Sequence, residues 1–277
     1  MWRFPEALGR THLVSQLGIQ EIRTVEPPPY RADIDSTTGI RNVSAIRDYS
    51  IALSQVIEQV LRSDQFPLVI GGDCSILLGS ALALRRLGRY GLMFVDGHTD
   101  FLTPSTSSTG GAAGMDLALV TGHGPHQLTT LEGYTPMIEE KDVVAFGFRD
   151  MDDAETYPAR LIFTTQVQHY ALDRIRAQGF QAAVQACLEH FRQNEVAGIW
   201  LHLDVDALND EIMPAVDSRQ PGGLSYEEMV TLIRLLMQSG LLCGMQITIF
   251  DPELDPEGHL IHTLATHLIA ALDDSGS

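Results

Sequence analysis

The chain of 277 residues sets 18 Lys plus Arg against 36 Asp plus Glu, a formal net charge of −18 at pH 7. That balance argues against nucleic acid or an anionic membrane as partner and favours small cationic or neutral ligands. Cys74, Cys187 and Cys243 are widely spaced and make no disulfide framework, which fits a reducing cytoplasm. The start MWRFPEALGR lacks a long apolar region, and no apolar run reaches the ~18 residues that a membrane span needs.

In chain order, residues 1–42 are rich in turn formers, among them Pro27, Pro28 and Pro29, with one short strand expected over 19–25 and no chemistry assigned. Apolar residues at Ile46, Leu53, Val56, Ile57, Val60 and Leu61 keep the helical period over 45–63, and Pro67 leads into the apolar run 68–70. The alternation then continues as helix 76–87, strand 91–95, helix 115–121 and strand 143–148. Two helical pieces fall between 171 and 193, followed by a strand from Ile199, a helix over 226–238, a strand over 242–250 and a last helix over 261–272. Alternating strands and helices with short loops imply right-handed crossovers and one parallel sheet covered on both faces. No repeat, low-complexity segment or linker breaks the pattern, so residues 1–277 are expected to form a single domain.

In such sheets ligands bind beyond the carboxyl ends of the strands. Three strands deliver chemistry there. Residues 68–70 run into GGDCS (71–75), residues 91–95 into DGHTD (96–100), and the Ile199 strand into Asp204 and Asp206, two positions apart and so on one face. Asp96, His98, Asp100, Asp204 and Asp206 supply hard oxygens and one imidazole, a set suited to Mn²⁺ or a similar divalent ion. Five ligands exceed the needs of one ion. Two ions sharing carboxylates would use them all and would generate a bridging hydroxide able to attack a carbon centre at neutral pH.

Blander roles exist for each residue. An Asp pair at a strand end can be an N-cap with an ion pair, and a lone His is often a hydrogen-bonded structural residue. The apolar side of 226–238 (Met229, Leu232, Ile233, Leu235, Leu236, Met237) and Cys187 within 184–191 read as core. GGxxS lacks the spacing and Lys of a phosphate-binding P-loop.

The segments GGDCS, DGHTD, HLDVDALND (202–210) and, loosely, IFDP (249–252) stand in the order of the landmarks of the arginase, agmatinase and formimidoylglutamase family. The chain resembles that family of dinuclear metal hydrolases over most of its length. The resemblance implies a three-layer α/β/α fold with a parallel sheet of roughly eight strands, two divalent ions (Mn most often), a small-molecule guanidine or related substrate, and a homo-oligomer, commonly a trimer or hexamer. It further implies that Asp96 and Asp204 contact both ions, that His98 and Asp206 complete one, and that Asp100 and residue 74 complete the other. Residue 74 is Cys where the family has His, similar in this respect to the hydroxyarginine amidinohydrolase of D-cycloserine biosynthesis; a thiolate shifts preference toward Zn²⁺, Fe²⁺ or Co²⁺.

The resemblance also marks substrate positions. Leu102, Gly111 and Ala113 replace family Asn, Asn and His, and only the hydroxyl of Thr109 survives from the set that holds an α-carboxylate. Ala113 removes a proton-shuttling His, for which His123 and His126 are replacements only in principle. Ile249 stands where the family places the Glu that pairs with a guanidinium, with Gln246, Asp251 and Glu253 nearby. Asp152 matches the position that receives a substrate amine, and Ser218 lies near a substrate-contacting Thr. The expectation is a metal-dependent hydrolase of a linear C–N bond in a guanidine, hydroxyguanidine, amidine or amide compound, with Asp100 orienting the nucleophile and relaying a proton. Two alternatives remain open: an arginase-fold binding or regulatory subunit without catalysis, and a metal-dependent deacylase.

Overall fold

The computed structural model describes residues 1–150 and 157–273. Its helices are α1 (Phe4–Gly9), α2 (Leu13–Gln16), α3 (Val43–Arg62), α4 (Leu77–Leu87), α5 (Asp116–Val120), α6 (His126–Thr129), α7 (Leu172–Gln178), α8 (Phe180–Gln193), α9 (Tyr226–Gln238) and α10 (His259–Leu272). Its strands are β1 (Leu68–Ile70), β2 (Gly91–Val95), β3 (Val143–Phe146), β4 (Gln168–Tyr170), β5 (Ile199–Asp204) and β6 (Leu242–Thr248).

All six strands pair in parallel, in the order β1-β6-β5-β2-β3-β4. Every residue of β2 and β5 is buried, as continuous apolar runs in a sheet covered on both faces require. Alternate side chains then serve two cores. Met93, Val95, Leu201 and Leu203 pack with α8, α9 and α10 through Val184, Met229 and Leu264, whereas Leu92, Phe94 and Trp200 pack with α3, α4 and α5 through Ile57, Leu82 and Leu119. The result is the expected three-layer α/β arrangement.

From β2 the chain winds outward to β3 and β4, and from β5 it winds the other way to β6. The order reverses between β2 and β5, so the crevice beyond their carboxyl ends is the switch point at which such folds bind ligands. Local signals hold the helices that frame it. Ser225 and Glu228 close a capping box at the start of α9, with Glu228 N donating to Ser225 Oγ (3.2 Å) and Ser225 N to Glu228 Oε2 (2.9 Å), a device that contributes about 1 kcal/mol.

Three expectations change. The described residues form six strands, not about eight. No strand forms over 19–25: Ile19, Ile22 and Val25 recur every third residue, which offers no face at strand period, and Ile22 stands 69% exposed. Conversely, β4 is a short polar edge strand with only Tyr170 buried, too weak a pattern to detect. No helix of the described residues is long and apolar enough to cross a membrane.

Candidate metal centre

Three turns bring the acids together. After β1, Asp73 caps a 3-10 turn (Cys74–Ile76) by accepting from Ser75 N at 2.9 Å, which points the Cys74 thiol back over the sheet. After β2, Asp96 Oδ1 accepts from His98 N at 2.7 Å. After β5, Asp204 Oδ1 accepts from Asp206 N at 2.7 Å as a second 3-10 turn (Val205–Ala207) begins. In each case a carboxylate or thiol at a strand tip is fixed by the backbone just beyond it.

The centre has two halves. On one, His98 Nδ1 lies 2.9 Å from Asp206 Oδ2 and 3.5 Å from Asp96 Oδ1, and Asp206 Oδ1 also accepts from Gly97 N at 3.0 Å. A Cβ at residue 97 would sit 2.9 Å from both Asp206 O and Asp206 Oδ1 and 2.8 Å from Arg149 Nη1, so glycine is what lets these turns meet. On the other half, Cys74 Sγ donates to Asp204 Oδ2 at 2.9 Å and lies 3.1 Å from Thr248 Oγ1 at the tip of β6.

Among the described residues, three groups offer ligand atoms that all lie within 4.8 Å of one another: Asp96, His98 and Asp206; Cys74, Asp96, His202 and Asp204; and Cys74, Asp100 and Asp116. Asp96 belongs to both halves and Cys74 to two groups on its own side. The donors suit divalent cations. Asp96 Oδ2 and both carboxylate oxygens of Asp116 are buried with no hydrogen-bond donor, and orphaned acceptors of this kind are what a bound cation satisfies.

Electrostatics point the same way. Burial, and then the neighbouring acids, push the Asp100, Asp116, Asp204 and Asp206 carboxyls above their ordinary range, and burial followed by Asp204 does the same to the Cys74 thiol. Burial disfavours the charged form of His98, but Asp206 and Asp96 outweigh it and raise its pKa to about 12. Burial would likewise raise Asp96, yet His202 and His98 beside it hold its carboxyl below the usual range. The protein alone has too much negative charge here, and positive charge relieves it.

His202 needs its own account. Trp200 Nε1 and Ser80 Oγ both donate to Gln246 Oε1, at 3.1 and 2.6 Å. An indole N–H can only donate, so the amide nitrogen of Gln246 must face His202 Nδ1, 2.7 Å away. Nδ1 therefore accepts, and the ring proton sits on Nε2, 3.8 Å from Asp96 Oδ2. Stacked on Phe94 at 4.5 Å, His202 turns a protonated Nε2 toward the centre without reaching hydrogen-bond distance of Asp96, so in this tautomer it has no lone pair there to offer an ion.

Of the expected residues, Cys74, Asp96, His98, Asp100, Asp204 and Asp206 converge here. Thr109 and Ser218 line the same cleft, of about 1820 Å³, and the Thr109 hydroxyl accepts from Gly111 N at 3.1 Å. Asp152 lies outside the described residues. Gln246 is committed to Trp200, Ser80 and His202, so it does not take over from the family Glu. His123 is held by Glu140 at 2.7 Å and packs against Phe101. Ile249 is 5% exposed at φ 77°, a left-handed conformation that strains a β-branched residue by about 1–3 kcal/mol. Sequence reading missed Asp116 and His202. Position 202 shares a strand face with Asp204, and Asp116 interrupts an apolar run; those were the available signals.

Comparison with known proteins agrees with this geometry. The model of the Arginase family matches residues 13–272. The arginase of Staphylococcus aureus (strain COL) is 32% identical over 222 residues, covering 80% of this chain and 72% of that protein; that of Bacillus subtilis (strain 168) is 28% identical over 257 residues, covering 91% and 84%. The crystal structure of Bacillus subtilis arginase superposes with a TM-score of 0.86 at 25% identity, covering 99% and 93%, and Bacillus subtilis formimidoylglutamase with 0.71 at 22%, covering 98% and 79%. With family landmarks in order, strand tips that gather the acids, and this match along nearly the whole chain, the protein belongs to the arginase family.

Proposed function

We propose that the chain is a metal-dependent hydrolase of a linear, non-peptide C–N bond, with Cys74, Asp96, His98, Asp100, Asp204 and Asp206 holding two divalent ions. The observation that carries this reading is the pair of ligand groups joined by Asp96, each within 4.8 Å. When bound, the ions supply the Lewis acidity that makes water a nucleophile at neutral pH and stabilises negative charge on the tetrahedral carbon. Mn²⁺ suits the His98 half, and the thiol at Cys74 extends the range to Zn²⁺, Fe²⁺ or Co²⁺.

The chain's own residues do the rest. The His98 amide orients Asp96, and the Gly97 amide orients Asp206. Asp100 orients the nucleophile and relays its proton to the leaving nitrogen. Thr109 and Ser218 face the cleft and Asp152 follows from the family pattern; these three serve substrate binding. Ile249 leaves the β6 tip without a carboxylate where a guanidinium would be paired, and an unpaired buried cation is costly. The substrate class is therefore a guanidine, hydroxyguanidine, amidine or amide compound less cationic at that end than arginine. Acetate-releasing deacylation fits the same feature and is the second reading. Metal analysis of untagged protein, followed by a substrate panel scored for urea, ammonia and carboxylate, tests both. Two equivalents of metal with urea or ammonia release support the first reading, carboxylate release the second, and a metal-free, inert protein neither.

A further inference from the structure

We propose that Asp116 is a ligand of the ion on the Cys74 side, so that this half of the centre grips its metal with a thiolate and the carboxylates of Asp100 and Asp116. The inference rests on the reading of the centre as a metal site and extends it to a residue outside the six expected ligands.

Asp116 opens α5, 42 positions beyond Cys74 in the sequence, yet its ligand atom, that of Asp100 and the thiol of Cys74 lie within 4.8 Å of one another. Its side chain is 0% exposed, and neither carboxylate oxygen has a hydrogen-bond donor. The like charges of Asp100, Asp96 and Asp73 work against the carboxylate form of Asp116, and the Leu117 backbone amide only partly offsets them. A carboxylate surrounded by acids, sealed from water and lacking a donor needs a cation or a proton. The turn before it explains the placement. Residues Ala113–Met115 form a 3-10 turn packed against the one that carries Cys74, so the two segments share one wall of the centre.

His202 is the other candidate for the missing imidazole, and its hydrogen bonding rules it out. The Trp200–Gln246 relay leaves Nδ1 as acceptor and puts the proton on Nε2, the atom that faces the centre. Asp116 presents two carboxylate oxygens, neither taken up by a hydrogen bond. Thiolate and an added carboxylate give this half more negative charge than imidazole would, which strengthens its hold on a divalent ion, and the thiolate moves its preference toward softer metals.

The test uses Co²⁺ as probe. Chelator-stripped full-length protein is titrated with Co²⁺ while calorimetry counts the sites and near-ultraviolet absorption follows the thiolate-to-cobalt charge-transfer band, which only the Cys74 half can produce. Asp116→Asn, nearly isosteric, is expected to weaken the thiolate-linked phase by about 100-fold, a loss at or above that for removing a partner that only orients a ligand, and to leave the other phase within about threefold. Asp116→Leu should lose the thiolate-linked phase too while its metal-free form unfolds at a higher urea concentration than metal-free wild type, since an unpaired buried acid is gone. An Asp116 that merely shares a proton with Asp100 leaves both Co²⁺ phases of Asp116→Asn unchanged, which overturns the inference, as does equal weakening of both. Wild type that takes up no Co²⁺ overturns the centre itself, a failure distinct from that of Asp116.

Discussion

Gln246 hands its amide nitrogen to His202 Nδ1 at 2.7 Å because its oxygen is claimed by the Trp200 indole. A residue 44 positions along the chain thus decides which nitrogen of a buried histidine carries the proton. Replacing Gln246 with Leu strands the Trp200 N–H and His202 Nδ1, each fully buried, at about 1–3 kcal/mol per group. We expect a loss of roughly 2–5 kcal/mol in urea unfolding of the metal-loaded protein. A loss under about 0.5 kcal/mol would contradict the relay.

Asp204 touches Cys74 on one side and the Asp206 amide on the other. Asp204→Asn keeps the latter bond but removes a charge that the proposed centre would share between its two ions, so most bound metal and all hydrolysis should disappear. Elemental analysis of purified variant and wild type checks it, and unchanged metal content argues against the centre.

Glycine at 97 is a tight steric requirement beside Asp206. Gly97→Ala must displace Asp206 or its carbonyl, and crowding of this size costs about 1–3 kcal/mol. The expected signature is selective: the Co²⁺ phase without charge transfer weakens, and the thiolate-linked phase holds. Equal affinity in both phases would show that the turn yields more readily than its contacts suggest.

Proton linkage supplies a test without mutation. In metal-free protein, Asp100, Asp116 and Asp204 are raised above their ordinary carboxylate values and His98 is raised to about 12. Groups raised on folding contribute stability that is complete below their unfolded pKa, ~4 for carboxylates and ~6.5 for His, and lost as pH climbs through the folded values. Chelated protein should therefore lose stability as pH rises above ~4, where the carboxylates begin to contribute, and more steeply above ~6.5, where His98 joins them, by about 1.4 kcal/mol per pH unit for each proton retained on folding. Metal-loaded protein should resist this fall, because its ligands bind already deprotonated. Thermal melts with and without chelator across that range decide it, and parallel curves count against metal-coupled acids.

Much of this was legible in the residues. Strand β2 and helix α9 fall where periodicity alone puts them, because apolar runs of the right length are bounded by turn formers and by a capping Ser. The acids after β2 and β5 announce themselves because hydrophobic runs rarely end in alternate Asp without a reason. What stayed hidden depends on tertiary proximity. Asp116 looks like an ordinary helix-start acid until α5 is packed beside Cys74, and His202 looks like one polar residue in a strand until Gln246 orients it. β4 carries too little buried surface to mark itself, and the absent 19–25 strand shows that apolar residues without strand period do not make a ladder.

Among the described residues β1 has one strand neighbour, β6, joined through three paired residues and prolonged by Gly71 N to Ile247 O and Ile249 N to Gly72 O, whereas β2 and β5 are locked in mid-sheet through five pairs. Cys74 thus hangs from the margin of the sheet while its partners are anchored in the middle. Starved of ions, the molecule should fray from that rim inward, with amides of residues 68–76 exchanging first, so that the thiol side acts as the door and the aspartate side as the frame.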